Sequence, residues 1–337
     1  MNPKTVSVHI VTYNSADDII ECLSAVLSQD YPVKKIVIVD NASTDGSADK
    51  VRAFYHGLNS NSAQGATTAQ GVADSAGSST RTSALVLLEN EHNTGFAPAH
   101  NQAIAGTNTD YVLVLNPDLT LAPDYISRLV ACFEANPRIG SATGKLLLKA
   151  DHSLVDSTGL RMNRARRAFD RGAGESADLW NESGVVFGVS GAAAMYSRRM
   201  IEDICIEGEF FDADFFAYKE DVDVAWRAGL FGWQAYYDAE AIGYHERGWK
   251  TSGRSGKAMF IKRISYINRY KMIYKNESSR RMLLTLLYSL PYEIAAHGYS
   301  LLKEPKLMGA WSSFFSQWTA LKRKRRYIQE KAKRQGL

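Results

Sequence analysis

Cysteine is scarce in this chain of 337 residues, which contains only Cys22, Cys132 and Cys205. Their odd number and wide spacing give no disulfide framework and no zinc-ligand spacing, so we expect a protein of a reducing compartment. Each lies in an apolar stretch, which predicts a core position. The N-terminus has no basic segment followed by an apolar one, and we therefore expect no secretory signal peptide.

Glycine-rich phosphate loops are also missing. No G-x-G-x-x-G follows the first predicted strand, which disfavours a Rossmann dehydrogenase. Residues 8–16 contain neither a glycine-rich loop nor a Lys or Arg, which disfavours a nucleotidyltransferase. The apolar segment 282–297 contains Pro291, Glu293 and His297, so we expect it not to span a membrane.

Acidic residues are rare near the C-terminus. Residues 250–337 hold 20 Lys and Arg against 4 Asp and Glu, a net charge of +16, whereas residues 1–249 hold 20 against 32, a net charge of −12. An acidic body with a basic C-terminal region predicts an anionic surface as its partner. We accordingly divide the chain into a body of residues 1–250 and a C-terminal region of residues 251–337.

The apolar pattern predicts an α/β fold with a parallel sheet. Strands are predicted at residues 6–11, 35–39, 85–89, 111–115, 140–148 and 187–196, and helices at 16–27, 47–55, 98–105 and 123–136. Alternation of strand, polar turn and helix is typical of right-handed βαβ units. Residues 57–83 are rich in Gly, Ser, Thr and Ala, which predicts a flexible surface insertion.

The stretch from Tyr111 to Asp118 carries the clearest chemical signal. Residues 111–115 are apolar or aromatic, which predicts a strand buried on both faces and ended by Pro117. Asp118 then follows the carboxyl end of a buried strand, the edge at which open α/β sheets bind ligands. A carboxylate there can hold a divalent cation against phosphate oxygens. Alternatively, Asn116 and Asp118 only bond local backbone in a turn.

Asp40 has the same position after the second predicted strand. In nucleotide-binding α/β folds such a carboxylate contacts a ribose or base, although it can also simply form an Asx-turn. Thr12, Tyr13 and Asn14 follow the first strand, where Asn14 or Ser15 can cap the next helix. The two interpretations are compatible, because a capped helix N-terminus also attracts phosphate.

Polar residues also accompany the helix predicted at 98–105. Asn93 and Gly95 lie on the turn before it, and Asn101 lies inside it. Because Asn is a poor helix former, Asn101 is either bonded to a partner or exposed.

A second group of chemically active residues lies near a predicted helix start. Glu220, Asp221 and Asp223 stand among aromatic residues, and Asp223 can pair with Arg227 one turn later. A carboxylate presented from an aromatic wall can have a raised pKa, as a general base requires. The alternative is an acidic first turn that complements the helix dipole.

Three further features leave two interpretations open each. His245 is either a structural histidine or a metal ligand beside Asp118. The five arginines between residues 161 and 171 form either a solvated basic loop or a clamp for an anionic ligand. Gly188 and Gly191 open a predicted strand, either for the approach of a ligand or for tight packing.

Taken in order, these motifs resemble a family 2 glycosyltransferase with a GT-A fold over residues 6–250. The motifs are Val11-Thr-Tyr-Asn14, Val39-Asp-Asn-Ala-Ser-Thr-Asp-Gly46, Asn93-Thr-Gly-Phe-Ala97 with Asn101, Leu115-Asn-Pro-Asp118, Ser190-Gly-Ala-Ala193, Glu220-Asp221 and His245. The combination is most similar to bacterial rhamnosyltransferase-like members that build lipopolysaccharide O-antigen or other cell-surface polysaccharide. The implied fold is α/β, a Rossmann-like, mostly parallel GT-A sheet flanked by helices, followed by a C-terminal helical extension.

The resemblance implies roles for individual residues. The nucleoside pocket would be lined by Thr12, Tyr13, Asn14, Asp40 and Asn41. The donor site would be shaped by Asn93, Gly95, Asn101 and Asn116. Mg²⁺ or Mn²⁺ would be held by Asp118 together with His245. Asp221 would be the catalytic base and Glu220 its neighbour at the acceptor.

The resemblance also implies an inverting transfer, in which the acceptor hydroxyl loses a proton to Asp221 and attacks the anomeric carbon. The implied donor is dTDP-rhamnose or a UDP-sugar, and the acceptor is a cell-surface polysaccharide or a lipid-linked glycan. Asn116 occupies the first position of the Asp-x-Asp-type motif and leaves one anionic metal ligand fewer. The alternative is therefore a catalytically degenerate domain acting as a membrane-associated scaffold.

The C-terminal region suggests where the protein acts. Trp311, Phe314, Phe315 and Trp318 precede a basic cluster at residues 322–326. Such aromatics beside basic residues predict peripheral contact with the inner face of the bacterial cytoplasmic membrane. The alternatives are a helical cap on the catalytic domain or a homo-oligomer interface. We expect no nucleic-acid binding, because these aromatics form no recognisable binding module.

Overall fold

A computed structural model describes residues 3–65, 83–246 and 258–335. Its strands are β1 (Val6–Thr12), β2 (Val33–Asp40), β3 (Ala84–Glu89), β4 (Tyr111–Leu115), β5 (Leu119–Leu121), β6 (Ile139–Leu148), β7 (Asp151–Ser157), β8 (Leu160–Met162), β9 (Ala168–Asp170), β10 (Gly184–Val186), β11 (Ala193–Ser197) and β12 (Gln234–His245). Its α-helices are α1 (Ile19–Leu27), α2 (Ser47–Gly65), α3 (Phe96–Ala105), α4 (Tyr125–Ala135), α5 (Arg198–Ile204), α6 (Glu220–Leu230), α7 (Met259–Asn276), α8 (Ser279–Lys303), α9 (Trp311–Ser316) and α10 (Trp318–Arg334).

One mixed sheet of ten strands organises the molecule. Its main order is β10-β12-β6-β11-β4-β1-β2-β3, with β5 paired to β12 and β7 paired to β6. Strands β1 to β4 are mutually parallel, which confirms the predicted layout. β11 is antiparallel to both β4 and β6, so the sheet changes direction beside the central strand.

The core lies on both faces of the sheet because β4 is apolar throughout. Leu113 and Leu115 pack in the cluster formed with α1 and α4. Val112 and Val114 face the opposite cluster, beside α5 and α6. This alternation follows from the two-residue period of a strand. The predicted apolar face of α4 is buried as expected, and all three cysteines are free thiols.

Two sequence expectations fail at the level of elements. The predicted surface insertion at 57–83 begins as helix, since α2 continues to Gly65, and residues 66–82 lie outside the described ranges. The strand predicted at 187–196 starts only at Ala193. Residues before it form a loop that packs tightly, because a Cβ at Gly188 would lie 2.3 Å from the Ala225 Cβ.

The C-terminal helices pack onto the body. Ile328 of α10 is completely buried in the core cluster beside α5 and α6. Phe314 is buried with its aromatic neighbours, and Lys324 is buried in ion pairs. Phe314 and Lys324 therefore serve internal packing, whereas Phe315, Lys322, Arg323 and Arg326 are exposed. Membrane contact through this segment stays a prediction.

Helix α8 carries a large exposed apolar surface. We call this surface the α8 apolar face; it consists of Leu283, Leu284, Leu286, Leu287, Tyr288, Leu290, Ile294, Tyr299, Leu301 and Leu302. Within the described part of the chain, no helix combines the length and hydropathy needed to cross a bilayer.

Candidate active site

The predicted ligand-binding edge of the sheet is present. β4 and β2 both run parallel to β1, so the carboxyl ends of the three strands lie side by side. Thr12 is level with Asp40, and Ile10 is level with Leu115. Because Asn116 follows Leu115, the polar residues after all three strands lie along one edge.

A cavity of about 670 Å³ opens beside the end of β4. It brings together four residues that the sequence singled out from distant parts of the chain, namely Asn116, Glu220, Asp221 and His245. Its wall also includes Phe96, Arg161, Asp170, Ser190, Gly191, Tyr218 and Lys219. The predicted catalytic carboxylate and the predicted metal-site histidine therefore line the same space.

Asp118 and His245 are in contact, the proximity that the metal-ligand interpretation of His245 requires. Antiparallel pairing of β5 with β12 sets His245 level with Leu119, and the His245 Nε2 lies 3.2 Å from the Asp118 Oδ1. On its other side, the His245 Nδ1 lies 2.8 Å from the Asp156 Oδ2. Burial lowers the pKa of His245, but the two carboxylates outweigh it and raise that pKa to about 9.

Asp118 and His245 fit a divalent cation whose remaining ligands are oxygens of a diphosphate and of water. Asp156 fixes the imidazole of His245 so that Nε2 faces Asp118, the outer-shell arrangement usual for a ligating histidine. Over the ranges that the structure describes, no group of three or more Asp, Glu, His or Cys can hold an ion alone. Mg²⁺ and Mn²⁺ commonly take one or two protein ligands and complete their shell with phosphate and water.

Glu220 and Asp221 begin α6, so the expected helix start is confirmed. The Asp221 Oδ2 accepts the Gly191 N–H at 3.2 Å, and its Oδ1 accepts the Val222 N–H at 2.7 Å. Burial raises the pKa of Asp221, although Lys219 and these amides oppose the rise. Burial, followed by the negative charge of Asp221, raises the pKa of Glu220 well above its usual range. The pair therefore holds one proton more readily than two ordinary carboxyls do.

If Asp221 serves as a general base, the pH dependence of kcat/KM should reflect the raised pKa of its carboxyl. Since a base must be ionised to accept a proton, kcat/KM should fall as the pH drops through that pKa. The acidic limb should therefore lie at a higher pH than the ordinary aspartate value of about 3.9. Initial rates between pH 4 and 8, with folding checked by circular dichroism at each pH, measure this limb. An inflection at or below the ordinary value would contradict the assignment.

The turn before Asp221 is held in an unusual conformation by the C-terminal region. Phe216, Tyr218 and Lys219 have φ values of 61°, 68° and 75°, which are uncommon for residues with a Cβ. The buried Asn268 of α7 donates from its Nδ2 to the carbonyls of Phe215, Ala217 and Tyr218 at 2.8–2.9 Å. The turn that precedes Asp221 thus depends on α7 for its geometry.

The predicted nucleoside-pocket residues form a second cluster at the same edge. Asp40 is buried and accepts hydrogen bonds from the Thr12 hydroxyl at 2.7 Å and the Ser43 N–H at 2.9 Å. Asn14, with φ 54°, accepts the Thr44 N–H at 2.9 Å. The expectation that Asn14 or Ser15 caps α1 is wrong, because the N-cap is Asp18. Tyr13 is exposed beside this cluster.

Asn41 of the predicted nucleoside pocket and the predicted donor-site residues form hydrogen bonds with the backbone. The Asn41 Nδ2 donates to the Gly95 carbonyl at 3.1 Å, and the Asn93 Oδ1 accepts the Gly95 N–H at 2.9 Å. Gly95 itself has φ +93°, and a Cβ there would lie 2.6 Å from Phe216. Asn101 has the partner that its helical position predicted, since its side chain exchanges two hydrogen bonds with the Phe211 main chain.

Several residues of the site were not predicted. Asp156 and Asn268 act through contacts between segments about 90 and 50 residues apart, and neither lies in a recognisable motif. The arginine-rich loop is divided between roles: Arg161 lines the cavity, Arg166 pairs with Glu277 at 2.5 Å, and Arg171 lies over the Trp180 ring. The loop is therefore not simply solvated.

Comparison with known sequences identifies the class of this protein. Residues 7–205 match the model of Glycosyl transferase family 2, and the chain belongs to that family. Curated relatives include a poly-β-1,6-N-acetyl-D-glucosamine synthase of Staphylococcus epidermidis, 22% identical over 237 residues and covering 70% of this chain. One from Staphylococcus aureus (strain MSSA476) is 23% identical over 233 residues and covers 69% of this chain. The chain spans 48% of the length of each.

Solved structures establish the GT-A fold. GalNAc-T7 with UDP, GalNAc and Mn²⁺ matches 81% of this chain and 48% of its own, with a TM-score of 0.59 at 12% identity. S. aureus TarS matches 91% of this chain and 47% of its own, with a TM-score of 0.52 at 18% identity. Residues 1–349 of TarS in complex with UDP match 91% and 78%, with a TM-score of 0.53 at 16% identity.

Proposed function

We propose that the protein is an inverting glycosyltransferase that moves a sugar from a nucleotide-sugar donor to a hydroxyl of a glycan or lipid-linked acceptor. The observation that carries this proposal is the shared cavity of Asp221 and His245. A buried carboxylate with a raised pKa there faces the same space as His245, whose Nε2 contacts Asp118. This arrangement suits a base at one end of the reacting sugar and leaving-group stabilisation at the other.

The chemistry follows from the position of each group. Asp221 accepts the proton of the acceptor hydroxyl, whose oxygen forms a bond to the anomeric carbon. The bond from that carbon to the donor phosphate oxygen breaks, and the nucleoside diphosphate leaves from the opposite face. Both Asp221 oxygens already accept an amide N–H, but each keeps a lone pair for the proton. These amides orient the carboxylate before the acceptor arrives.

Asp118 and His245 would hold Mg²⁺ or Mn²⁺ against the donor diphosphate. When bound, the cation neutralises the negative charge that builds on the leaving group. On the same edge, the nucleoside is bordered by Thr12, Tyr13, Asn14, Asp40 and Asn41. Within this set, exposed Tyr13 is free to pack on a base, whereas the Asp40 carboxylate is fixed by Thr12 and Ser43.

The donor itself is best sought with a panel of UDP-, dTDP- and GDP-sugars. The proposal includes dTDP-rhamnose as one candidate, and UDP-sugars as the other, because UDP is present in two of the similar structures. With a bacterial lipid and glycan extract as acceptor, we expect one donor to release its nucleoside diphosphate in a metal-dependent reaction. Proton NMR of the product should show the anomeric configuration opposite to that of the donor. Retention would overturn the inverting mechanism.

A catalytically degenerate scaffold is the second candidate, favoured only by Asn116 in place of an acidic metal ligand. A scaffold would bind nucleotide or acceptor without turnover, and its binding would not depend on Asp221. Release of nucleoside diphosphate in the same assay excludes it.

We further propose that the protein acts at the inner face of the bacterial cytoplasmic membrane, through the α8 apolar face. This face lies on a helix of the strongly basic C-terminal region, a combination suited to an anionic bilayer. We expect the protein to sediment with vesicles that contain phosphatidylglycerol, and Leu284→Glu with Leu287→Glu to abolish this. Equal sedimentation of the double variant would show that another surface makes the contact.

A further inference from the structure

A second cavity, of about 350 Å³, adjoins the active site. It lies between the arginine-rich loop, α7 and α8. Ala168, Tyr218 and Lys219 line both cavities. Lys219 is only two residues from Asp221, so a molecule in the second cavity is separated from the base by a single turn of chain.

The lining of this second cavity is strongly basic. Its charged residues are Arg166, Arg167, Lys219, Lys262 and Arg269, and the described residues of its wall include no Asp or Glu. Four tyrosines and one serine supply hydroxyl groups around these cations. Guanidinium, ammonium and hydroxyl donors together favour an anion with several oxygens, such as a phosphate.

Carboxylates behind the wall neutralise part of this charge. Glu277 pairs with Arg166, Glu293 with Arg269, and Glu304 with Lys262. Neither Arg167 nor Lys219 has an ion pair within the described ranges, although Lys219 acts electrostatically on Glu220 and Asp221 of the first cavity. The second cavity therefore keeps a net positive charge. The Arg167 guanidinium lies 4.3 Å from the centre of the Tyr292 ring, which fixes its plane beside the cavity.

Among the cations of the cavity wall, Arg269 is the one whose side chain is buried. This side chain is buried, with 8% of its surface exposed, and donates to the Glu293 carboxylate and the Ala165 carbonyl at 2.6 and 2.7 Å. Its Nε has no hydrogen-bond partner among the described residues. A buried, unsatisfied guanidinium N–H is costly and uncommon in folded proteins. A guanidinium whose position is fixed by two hydrogen bonds favours the binding of an anion in the cavity beside it.

Helix α8 links the cavity to an apolar surface. Its Tyr292 lines the cavity, while the residues of the α8 apolar face project to the outside of the same helix. A ligand that joins an anionic group to a long apolar chain would match both features. A free phosphate or a soluble anionic glycan would match only the first.

We propose that the second cavity binds the diphosphate of a lipid-linked acceptor, with its lipid chain leaving along α8. This assignment rests on the proposed glycosyl transfer, for which it supplies the acceptor class. Arg167, Lys219 and Arg269 bind the diphosphate oxygens. The adjoining sugar of the acceptor then reaches past Lys219 to present its hydroxyl to Asp221.

Calorimetric titration of the full chain with farnesyl diphosphate, inorganic pyrophosphate and farnesol tests the proposal. We expect farnesyl diphosphate to bind more tightly than either of the others. Arg167→Gln removes one positive charge and should weaken farnesyl diphosphate binding about tenfold or more, the effect of losing a charge-assisted hydrogen bond. Arg269→Gln should act in the same direction if it folds.

Arg326→Gln is the matched control. Arg326 is exposed on α10 and does not line the cavity. Its replacement removes the same charge and should leave farnesyl diphosphate binding unchanged. Equal weakening by both variants would show that only the net charge of the protein matters, and it would overturn the site. Equal affinity for pyrophosphate and farnesyl diphosphate would overturn the lipid assignment.

Failure of this proposal can be separated from failure of the proposed function. Binding of nucleoside diphosphates with Mn²⁺ should be unaffected by Arg167→Gln, since the donor lies at the other cavity. Nucleotide binding without any farnesyl diphosphate binding would overturn the acceptor site alone. Absence of nucleotide binding, with farnesyl diphosphate binding intact and sensitive to Arg167, would overturn the transferase and leave the anion site standing.

Discussion

Asp221→Asn should reduce the turnover number by roughly 10²–10⁴-fold, the usual contribution of a positioned general base. Asn has nearly the shape of Asp and can still accept the Gly191 or Val222 N–H through its one carbonyl oxygen. It cannot take the acceptor proton at neutral pH. The loss should therefore fall on kcat, with little change in donor affinity.

The comparison variant for this test is Glu220→Gln. Burial and the charge of Asp221 raise the pKa of Glu220, so its carboxyl holds a proton more readily than an ordinary glutamate does. Gln mimics the protonated carboxyl, and we expect a much smaller loss than for Asp221→Asn. Steady-state rates of nucleoside diphosphate release measure both variants. A larger loss for Glu220→Gln than for Asp221→Asn would show that Glu220, and not Asp221, is the base.

Lys275→Met should destabilise the fold by about 3–5 kcal/mol, the effect of breaking a buried ion pair. Lys275 is completely buried and donates to both Asp212 and Asp223. The Asp223 carboxylate also accepts from Arg227 at 3.0 Å, which confirms the predicted pair, and from Asn276 at 2.7 Å. Met is similar in length but carries no charge, so two buried carboxylates lose a shared cation.

This prediction is measured by urea unfolding of the wild type and the variant. The matched control is Arg323→Met, which removes an exposed pair with Glu207 from α10. Exposed pairs contribute little, so this control should leave the free energy of unfolding nearly unchanged. Similar unfolding curves for Lys275→Met and the wild type would show that the C-terminal helices are not an integral part of the body.

The sequence was most informative where function depends on a local pattern. The buried strand at Tyr111–Leu115, its polar end and the acidic start of α6 were all predicted, because each follows from the character of consecutive residues. The convergence of Asn116, Asp221 and His245 was also predicted, through the order of family motifs. Asn116 and Asp221 are 105 positions apart in the sequence, and only the resemblance placed them together.

Features that depend on packing between distant segments were missed or misjudged. Asp156 contacts His245 from strand β7. Asn268 donates to the Tyr218 carbonyl from helix α7, which lies outside residues 1–250. Among the aromatic residues near Trp311, Phe314 and Trp318 pack with Trp311 and against α7, whereas Phe315 is exposed. Composition alone does not predict which side of an amphipathic segment faces a neighbouring helix.

Calorimetric titration of UDP, dTDP and GDP, each with and without Mn²⁺, into the wild type and Asp118→Ala tests the central claim most directly. We predict that one diphosphate binds the wild type in a metal-dependent manner and that Asp118→Ala loses this dependence. A ligand present at about 100 times its dissociation constant should also raise the free energy of unfolding by roughly 2.7 kcal/mol. If the folded wild type binds none of the three, with or without Mn²⁺, the cavity at the end of β4 is not a nucleotide-sugar site.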